Sequence, residues 1–62
     1  MTTGEKIRLT RKAAGMTQID LAKRLKVSQG RISEWEAGKR GLSVERLKRI
    51  ARVLNVAPGE LL

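Results

Sequence analysis

Hydrophobic residues recur along the chain at the three- to four-residue spacing of amphipathic helices, and no segment shows the alternation of a strand. The clearest case follows Ser43, which is suited to cap a helix, and ends at Asn55, which is suited to a left-handed stop. The apolar stripe of this segment comprises Val44, Leu47, Ile50, Ala51 and Leu54. The pattern predicts an all-α protein.

The N-terminal segment predicts a first helix from about Gly4 to Ala14. Ile7, Thr10 and Ala14 share one face of that helix, and Gly15 is placed to end it in a left-handed conformation.

A last short helix is predicted from Ala57 onwards, because Pro58 stands at the first helical position, where proline is tolerated. Leu61 and Leu62 are then expected to dock back on the core. The whole chain, residues 1–62, is therefore predicted to be one domain of five helices.

Between residues 17 and 38 the pattern predicts two short helices, helix 2 and helix 3, with almost no linker. Thr17 and Ser28 are suited to cap them, and Asp20 stands at capping-box spacing from Thr17. Gly38 ends the second. The inward-facing residues are expected to be Leu21, Ala22, Leu25, Ile32 and Trp35. Two helices joined this closely must cross steeply, so helix 3 projects from the surface and can enter a DNA major groove.

Charge supports a polyanionic partner. Fourteen Lys and Arg residues against six Asp and Glu give a net charge of +8, which predicts attraction to phosphate backbones or anionic membranes. A membrane-surface protein is expected to have one long amphipathic helix instead of several capped short ones. No apolar run approaches the roughly 18 residues of a membrane span. Double-stranded DNA is therefore the expected partner, and simple solubility is the alternative.

The residue types present argue against catalysis. The chain has no His, Cys or Tyr, so the commonest general base and the thiol nucleophile are missing. It has no glycine-rich phosphate loop and no metal-ligand cluster. We expect no enzyme activity, metal, cofactor or small-molecule ligand. The lack of Cys and of a signal-peptide core fits a cytoplasmic protein associated with the nucleoid.

Because Ile32 and Trp35 face inward, the outer face of helix 3 is small and polar. Gln can pair with adenine, Arg with guanine, and Glu can accept from cytosine. Gly30 in the first turn sacrifices about 0.5–1 kcal/mol relative to Ala, which close approach to the groove would explain. The expected base contacts are Gln29, Gly30, Arg31, Ser33 and Glu34. An ordinary solvated helix face is the alternative.

Phosphate contacts are expected at the helix starts and in the loop after helix 3. Gln18 lies at the N terminus of helix 2, where amide N–H groups favour an anion. Ser28, which caps helix 3, is also expected to contact a phosphate. Lys39 and Arg40 follow helix 3 directly and are expected to flank the groove. A solvated charged loop is the alternative for these two cations.

The chain resembles the phage repressor/Cro-like, or Xre-type, helix-turn-helix proteins over nearly its whole length from Gly4. The matching residues are Gly15-Met16-Thr17-Gln18, Leu21-Ala22, Leu25, Val27-Ser28, Ile32-Ser33, Trp35-Glu36, Gly38-Lys39, Leu47, Ile50-Ala51, Leu54, Val56 and Glu60-Leu61-Leu62. The resemblance implies a lambda-repressor-like five-helix fold that binds operator DNA through helix 3. It also implies a phosphate contact at Gln18 and a structural ion pair between Arg11 and Glu36.

Three departures from the family pattern bear on the structure. Lys26 stands where the family favours Gly in the turn. Leu42 replaces a frequent Pro before helix 4, the helix predicted between Ser43 and Asn55. Leu9 and Ile19 are apolar at usually polar positions, so they are either a partner surface or scattered surface residues.

We therefore expect a sequence-specific transcriptional regulator, in the first instance a repressor, that binds a near-palindromic operator as a weak homodimer. Leu61 and Leu62, together with helix 4, are the expected dimer contact, unless they only close the monomer core. The alternative is an antitoxin-like subunit whose main partner is a protein contacted by Leu9, Ile19, Leu61 and Leu62.

Overall fold

Four α-helices and one 3₁₀ turn make up the fold, and the sequence-based prediction of an all-helical protein is confirmed. The computed structural model describes residues 1–62. The elements are α1 (Thr3–Ala13), α2 (Gln18–Leu25), α3 (Gln29–Glu36), α4 (Val44–Leu54) and a 3₁₀ turn (Pro58–Leu61). The fifth predicted helix is thus a single 3₁₀ turn. None of the helices is long and apolar enough to cross a membrane.

Capping boxes fix the starts of α1 and α2. The Thr2 hydroxyl accepts a hydrogen bond from the Glu5 N–H at 3.2 Å, and the Thr2 N–H donates to the Glu5 carboxylate at 2.8 Å. Thr17 and Asp20 make the same reciprocal pair. The cap at Thr2 starts α1 at Thr3, one residue earlier than predicted, and α1 ends at Ala13.

A left-handed residue ends or closely follows each of the four α-helices, and Gly38 does so after α3. Gly15 and Asn55 have φ values of 73° and 61°, as their predicted roles require. Lys26, at φ 59°, is the left-handed C-cap of α2 and accepts the modest strain that a glycine would avoid. The short turn between α2 and α3 keeps its left-handed geometry despite the departure at this position.

Eleven hydrophobic side chains form one core drawn from every element. Ile32 is fully buried and Trp35 is 4% exposed, so the predicted inner face of α3 is confirmed. The remaining core residues are Ile7, Leu21, Ala22, Leu25, Leu47, Ile50, Ala51, Leu54 and Leu61.

Three predicted core positions are wrong. Val44 is 66% exposed because it is the first residue of α4, beyond the edge of the core. Leu62 is 67% exposed because it follows the 3₁₀ turn that buries Leu61. Ala14 is exposed as the C-cap of α1.

Gly4 sets how closely α1 approaches the C-terminal end of α3. It is buried, and a Cβ atom placed on it would lie 2.6 Å from the Glu36 carbonyl oxygen and even closer to that of Trp35. Only glycine lets the two backbones meet at this distance, and no local pattern in the sequence indicates it.

Candidate nucleic-acid interface

The turn between α2 and α3 is three residues long, and two of them, Lys26 and Ser28, are the C-cap of α2 and the N-cap of α3. The Val27 N–H donates to the Ala22 carbonyl at 3.0 Å, beside the left-handed Lys26. The Ser28 hydroxyl then accepts from the Arg31 N–H at 3.2 Å and starts α3. Since these bonds satisfy backbone groups at both helix ends, they fix the orientation of α3 relative to α2.

The outward face of α3 is small and polar, as its buried inner face requires. Gln29, Gly30 and Ser33 are exposed, whereas Arg31 and Glu34 are half-buried. The space in front of Gly30 is open, because a Cβ atom there would meet only the Ser28 hydroxyl, at 3.9 Å. These five residues lie on one short helix that a neighbouring molecule can approach.

Arg11 and Glu36 form a buried ion pair that ties α1 to α3. The Arg11 Nε donates to Glu36 Oε2 at 2.7 Å and Nη2 donates to Oε1 at 3.1 Å, with side chains 7% and 4% exposed. Arg11 Nη1 also donates to the Met16 carbonyl at 2.8 Å. No buried polar side-chain atom is left without a partner, so the pair meets the condition under which a buried charge is tolerated.

The ion pair continues outward through two glutamines. Gln18 Nε2 donates to Glu36 Oε1 at 3.0 Å, and Gln29 Nε2 donates to Gln18 Oε1 at 3.3 Å. A continuous run of hydrogen bonds therefore joins the buried Arg11 to the exposed start of α3. The sequence pattern predicts Gln18 and Gln29 as separate contacts. The hydrogen bond between them was not predicted, because it depends on how α2 and α3 cross.

The loop after α3 folds back on that helix. Gly38 has φ 75°, and the Lys39 N–H donates to the Glu34 carbonyl at 2.9 Å. Arg40 Nε donates to Glu34 Oε1 at 3.1 Å. The structure thus pairs two residues with different predicted roles, since Glu34 is expected to contact a base and Arg40 a phosphate.

Most of the positive charge remains unpaired. Arg11 and Arg40 are the only cations in salt bridges with side-chain carboxylates. Of the other twelve, Lys6 Nζ donates to the oxygen of the terminal Leu62. In addition, α3 is the only α-helix with no acidic residue in its first turn. The N-terminal end of α3 therefore keeps the positive potential of its backbone dipole.

Comparison with known proteins agrees with this architecture. Residues 7–61 match the family described as Helix-turn-helix. The chain belongs to this family, in its Xre/Cro-like group. The earlier resemblance is thereby confirmed.

Two relatives are transcriptional regulators by name. The chain is 40% identical over 58 residues to the HTH-type transcriptional regulator DicA of Escherichia coli (strain K12). The matched residues cover 94% of this chain and 43% of DicA. It is also 40% identical over 62 residues to the HTH-type transcriptional activator BcrR of Enterococcus faecalis, covering 100% of this chain and 30% of BcrR. The chain spans less than half the length of either relative.

Two solved structures have the same fold as this chain. The restriction-modification controller protein C.AhdI from Aeromonas hydrophila superposes with a TM-score of 0.90 at 28% identity, covering 97% of this chain and 91% of that one. A chain of the SinR/SinI protein complex gives a TM-score of 0.89 at 27% identity, covering 98% and 60%.

Proposed function

We propose that the chain is a sequence-specific double-stranded DNA-binding domain of a transcriptional regulator, with α3 in the major groove. The observation that carries this proposal is the bonded run from the buried Arg11–Glu36 pair through Gln18 to Gln29. Such a run holds a polar side chain at a fixed place on a protruding helix, as readout of a base edge requires. Family membership supports the same function.

The outward residues of α3 contact bases. Gln29 donates one side-chain N–H to Gln18. Its other amide N–H and its amide oxygen are free to pair bidentately with adenine. Arg31 suits guanine and Glu34 suits cytosine. Gly30 and Ser33 keep the helix surface low, so that the longer side chains reach the groove floor.

Phosphate contacts surround this face and position the helix. Gln18 keeps one amide N–H beyond its bond to Glu36. The Ser28 hydroxyl accepts from the backbone and can still donate to a phosphate oxygen. Lys39 and Arg40 supply positive charge from the loop after α3. These contacts carry affinity and salt dependence, whereas base contacts carry specificity.

Two copies on a near-palindromic operator give the specificity that one copy lacks, because a single small module buries only about 600–1,000 Å² on DNA. Since Leu61 is in the core, only Leu62 of the two terminal leucines is free for a weak two-fold contact alongside α4. A protein that occupies an operator most simply represses transcription. The proposed location is the nucleoid in the cytoplasm. Sedimentation with and without a duplex carrying two half-sites measures the stoichiometry.

Selection of bound sites from a random DNA pool tests the function, followed by binding measurements at several salt concentrations. We expect Lys39→Ala to weaken binding to all sequences and to reduce the salt slope by about one unit. Lys23→Ala is the matched control, since Lys23 is an exposed lysine in the last turn of α2 and belongs neither to the proposed DNA contacts nor to the proposed two-fold contact. Equal salt slopes for the two variants would remove the loop from the interface. Failure to enrich any sequence would favour the protein-interaction alternative.

A further inference from the structure

Glu34 and Arg40 form an ion pair at the edge of the proposed base-reading face. Arg40 Nε donates to Glu34 Oε1 at 3.1 Å, and the two side chains are 50% and 45% exposed respectively. The pair leaves free the second oxygen of Glu34 and both terminal nitrogens of Arg40. Each partner can therefore keep this bond and still make a second one outward.

The backbone fixes the place of this pair. The left-handed Gly38 turns the chain, and the Lys39 N–H closes the turn on the Glu34 carbonyl at 2.9 Å. The hydrogen bond between the Lys39 N–H and the Glu34 carbonyl thus places Arg40 next to the Glu34 side chain. The other carboxylate at this end of α3, Glu36, is committed to Arg11 and Gln18.

A carboxylate in a major groove is repelled by the phosphates on both sides, and only a base that donates a hydrogen bond offsets that repulsion. Cytosine presents a lone N4 amino group, whereas guanine and thymine present acceptors and adenine places N7 beside its amino group. A neighbouring arginine lowers the repulsion without using the outward oxygen of the carboxylate.

We propose that Glu34 and Arg40 act as one specificity-determining unit, in which Arg40 positions and neutralises the Glu34 carboxylate so that it selects cytosine at one base pair of each half-site. This inference rests on the proposed function, since it requires α3 in the major groove. Arg40 then acts through Glu34 as well as on a phosphate, while Lys39 acts on the phosphate backbone alone.

A double-mutant cycle tests the unit. Binding of the wild-type chain, Glu34→Gln, Arg40→Gln and the double variant is measured by fluorescence anisotropy. The duplexes are the selected site and versions with each base pair replaced in turn. Lys39→Gln, alone and with Glu34→Gln, is the matched control, because it removes an adjacent cation whose side chain does not bond to Glu34. All of these side chains are exposed or half-buried, and circular dichroism checks that each variant folds.

We expect the wild-type chain to prefer cytosine at one position by about tenfold or more. Glu34→Gln should move that preference towards adenine, to which Gln can pair bidentately. Arg40→Gln should weaken binding to the selected site about fivefold more in the wild-type background than in the Glu34→Gln background, the upper end for an exposed ion pair. Lys39→Gln should weaken binding equally in both backgrounds.

Independent effects of Glu34→Gln and Arg40→Gln, multiplying to within twofold, would overturn the unit. So would the absence of any position at which Glu34→Gln changes the preferred base. In both cases a selected site still exists, so the proposed function stands while this inference fails. If the wild-type chain selects no sequence, the proposed function itself fails.

Discussion

Gly4→Ala should destabilise the protein, although replacing glycine by alanine within a helix normally does the opposite. Alanine gains about 0.5–1 kcal/mol over glycine in a helix. At Gly4, however, the new Cβ would lie 2.6 Å from the Glu36 carbonyl oxygen and closer still to that of Trp35. Both obstacles are backbone atoms, which cannot rotate away as a side chain can.

The magnitude follows from the displacement that the clash demands. Ordinary van der Waals contact begins near 3.4 Å, so the Glu36 oxygen alone requires a displacement of roughly 0.8 Å, the difference between 3.4 and 2.6 Å, and the closer Trp35 oxygen requires more. Overpacking of this kind costs about 1–3 kcal/mol. With the middle of each range, about 2 kcal/mol less about 0.75 kcal/mol, the free energy of unfolding should fall by about 1 kcal/mol, and the Tm by roughly 4–8 °C for a domain of this size.

Urea unfolding followed by the fluorescence of Trp35, the only tryptophan, measures the change directly. Gly30→Ala is the matched control, because its Cβ would meet only the Ser28 hydroxyl at 3.9 Å. That variant should be more stable than the wild type by about 0.5–1 kcal/mol. If Gly4→Ala proved as stable as the wild type, the close approach of α1 to α3 would be wrong.

Three further substitutions test other parts of the structure by urea unfolding. Ile32→Ala should cost about 2–5 kcal/mol, as large-to-small core changes do, and a cost below about 0.5 kcal/mol would mean that α3 faces the other way. Arg11→Ala should lower the free energy of unfolding by about 3–5 kcal/mol, because it leaves Glu36 buried without a charged partner. Arg11→Met combined with Glu36→Leu should recover much of that stability. The double variant should still bind DNA weakly, because Gln18 loses its hydrogen bond to Glu36. The Thr17 backbone N–H and hydroxyl lower the pKa of Asp20 below 3.8, so its ionised form stabilises the fold above that pH and the contribution is lost as the pH falls through the folded-state pKa. The stability difference between wild type and Asp20→Asn should therefore shrink in acid, and a constant difference from pH 7 to pH 2 would contradict this origin.

Local patterns predicted the helices because caps and apolar stripes act over a few residues. Ile32 and Trp35, one turn apart on α3, fixed which face is buried and hence which face is outward. Thr2 shows that such a pattern can also be overlooked, since Thr2 and Glu5 have capping-box spacing in the sequence. Val44 shows the limit of periodicity, because it continues the stripe of α4 but lies beyond the edge of the core.

Contacts between distant residues could not be predicted in this way. The bond from Gln18 to Glu36 and the approach of Gly4 to α3 depend on how the helices cross, which no short window of sequence contains. The Glu34–Arg40 pair spans only six residues, yet it requires the left-handed turn at Gly38 to bring the two side chains together. The fold was therefore more predictable than the bonding within the candidate interface.

The positions of charged residues in α3 differ from those in the other three α-helices, which have acids in the first turn and bases in the last turn. The proposed function gives a physical reason for this difference. Acids in the first turn and bases in the last turn stabilise a helix by about 0.3–1 kcal/mol each. The other three α-helices have both, with first-turn acids Glu5, Asp20 and Glu45. In α3 the first turn has no acid, and Glu34 and Glu36 occupy the last. Arg11 and Arg40 offset these two carboxylates from outside the helix. The N-terminal end consequently stays positive where the proposed function places DNA. The two arginines restore stability that α3 lacks by itself, and they also hold the carboxylates next to the proposed base-contacting side chains.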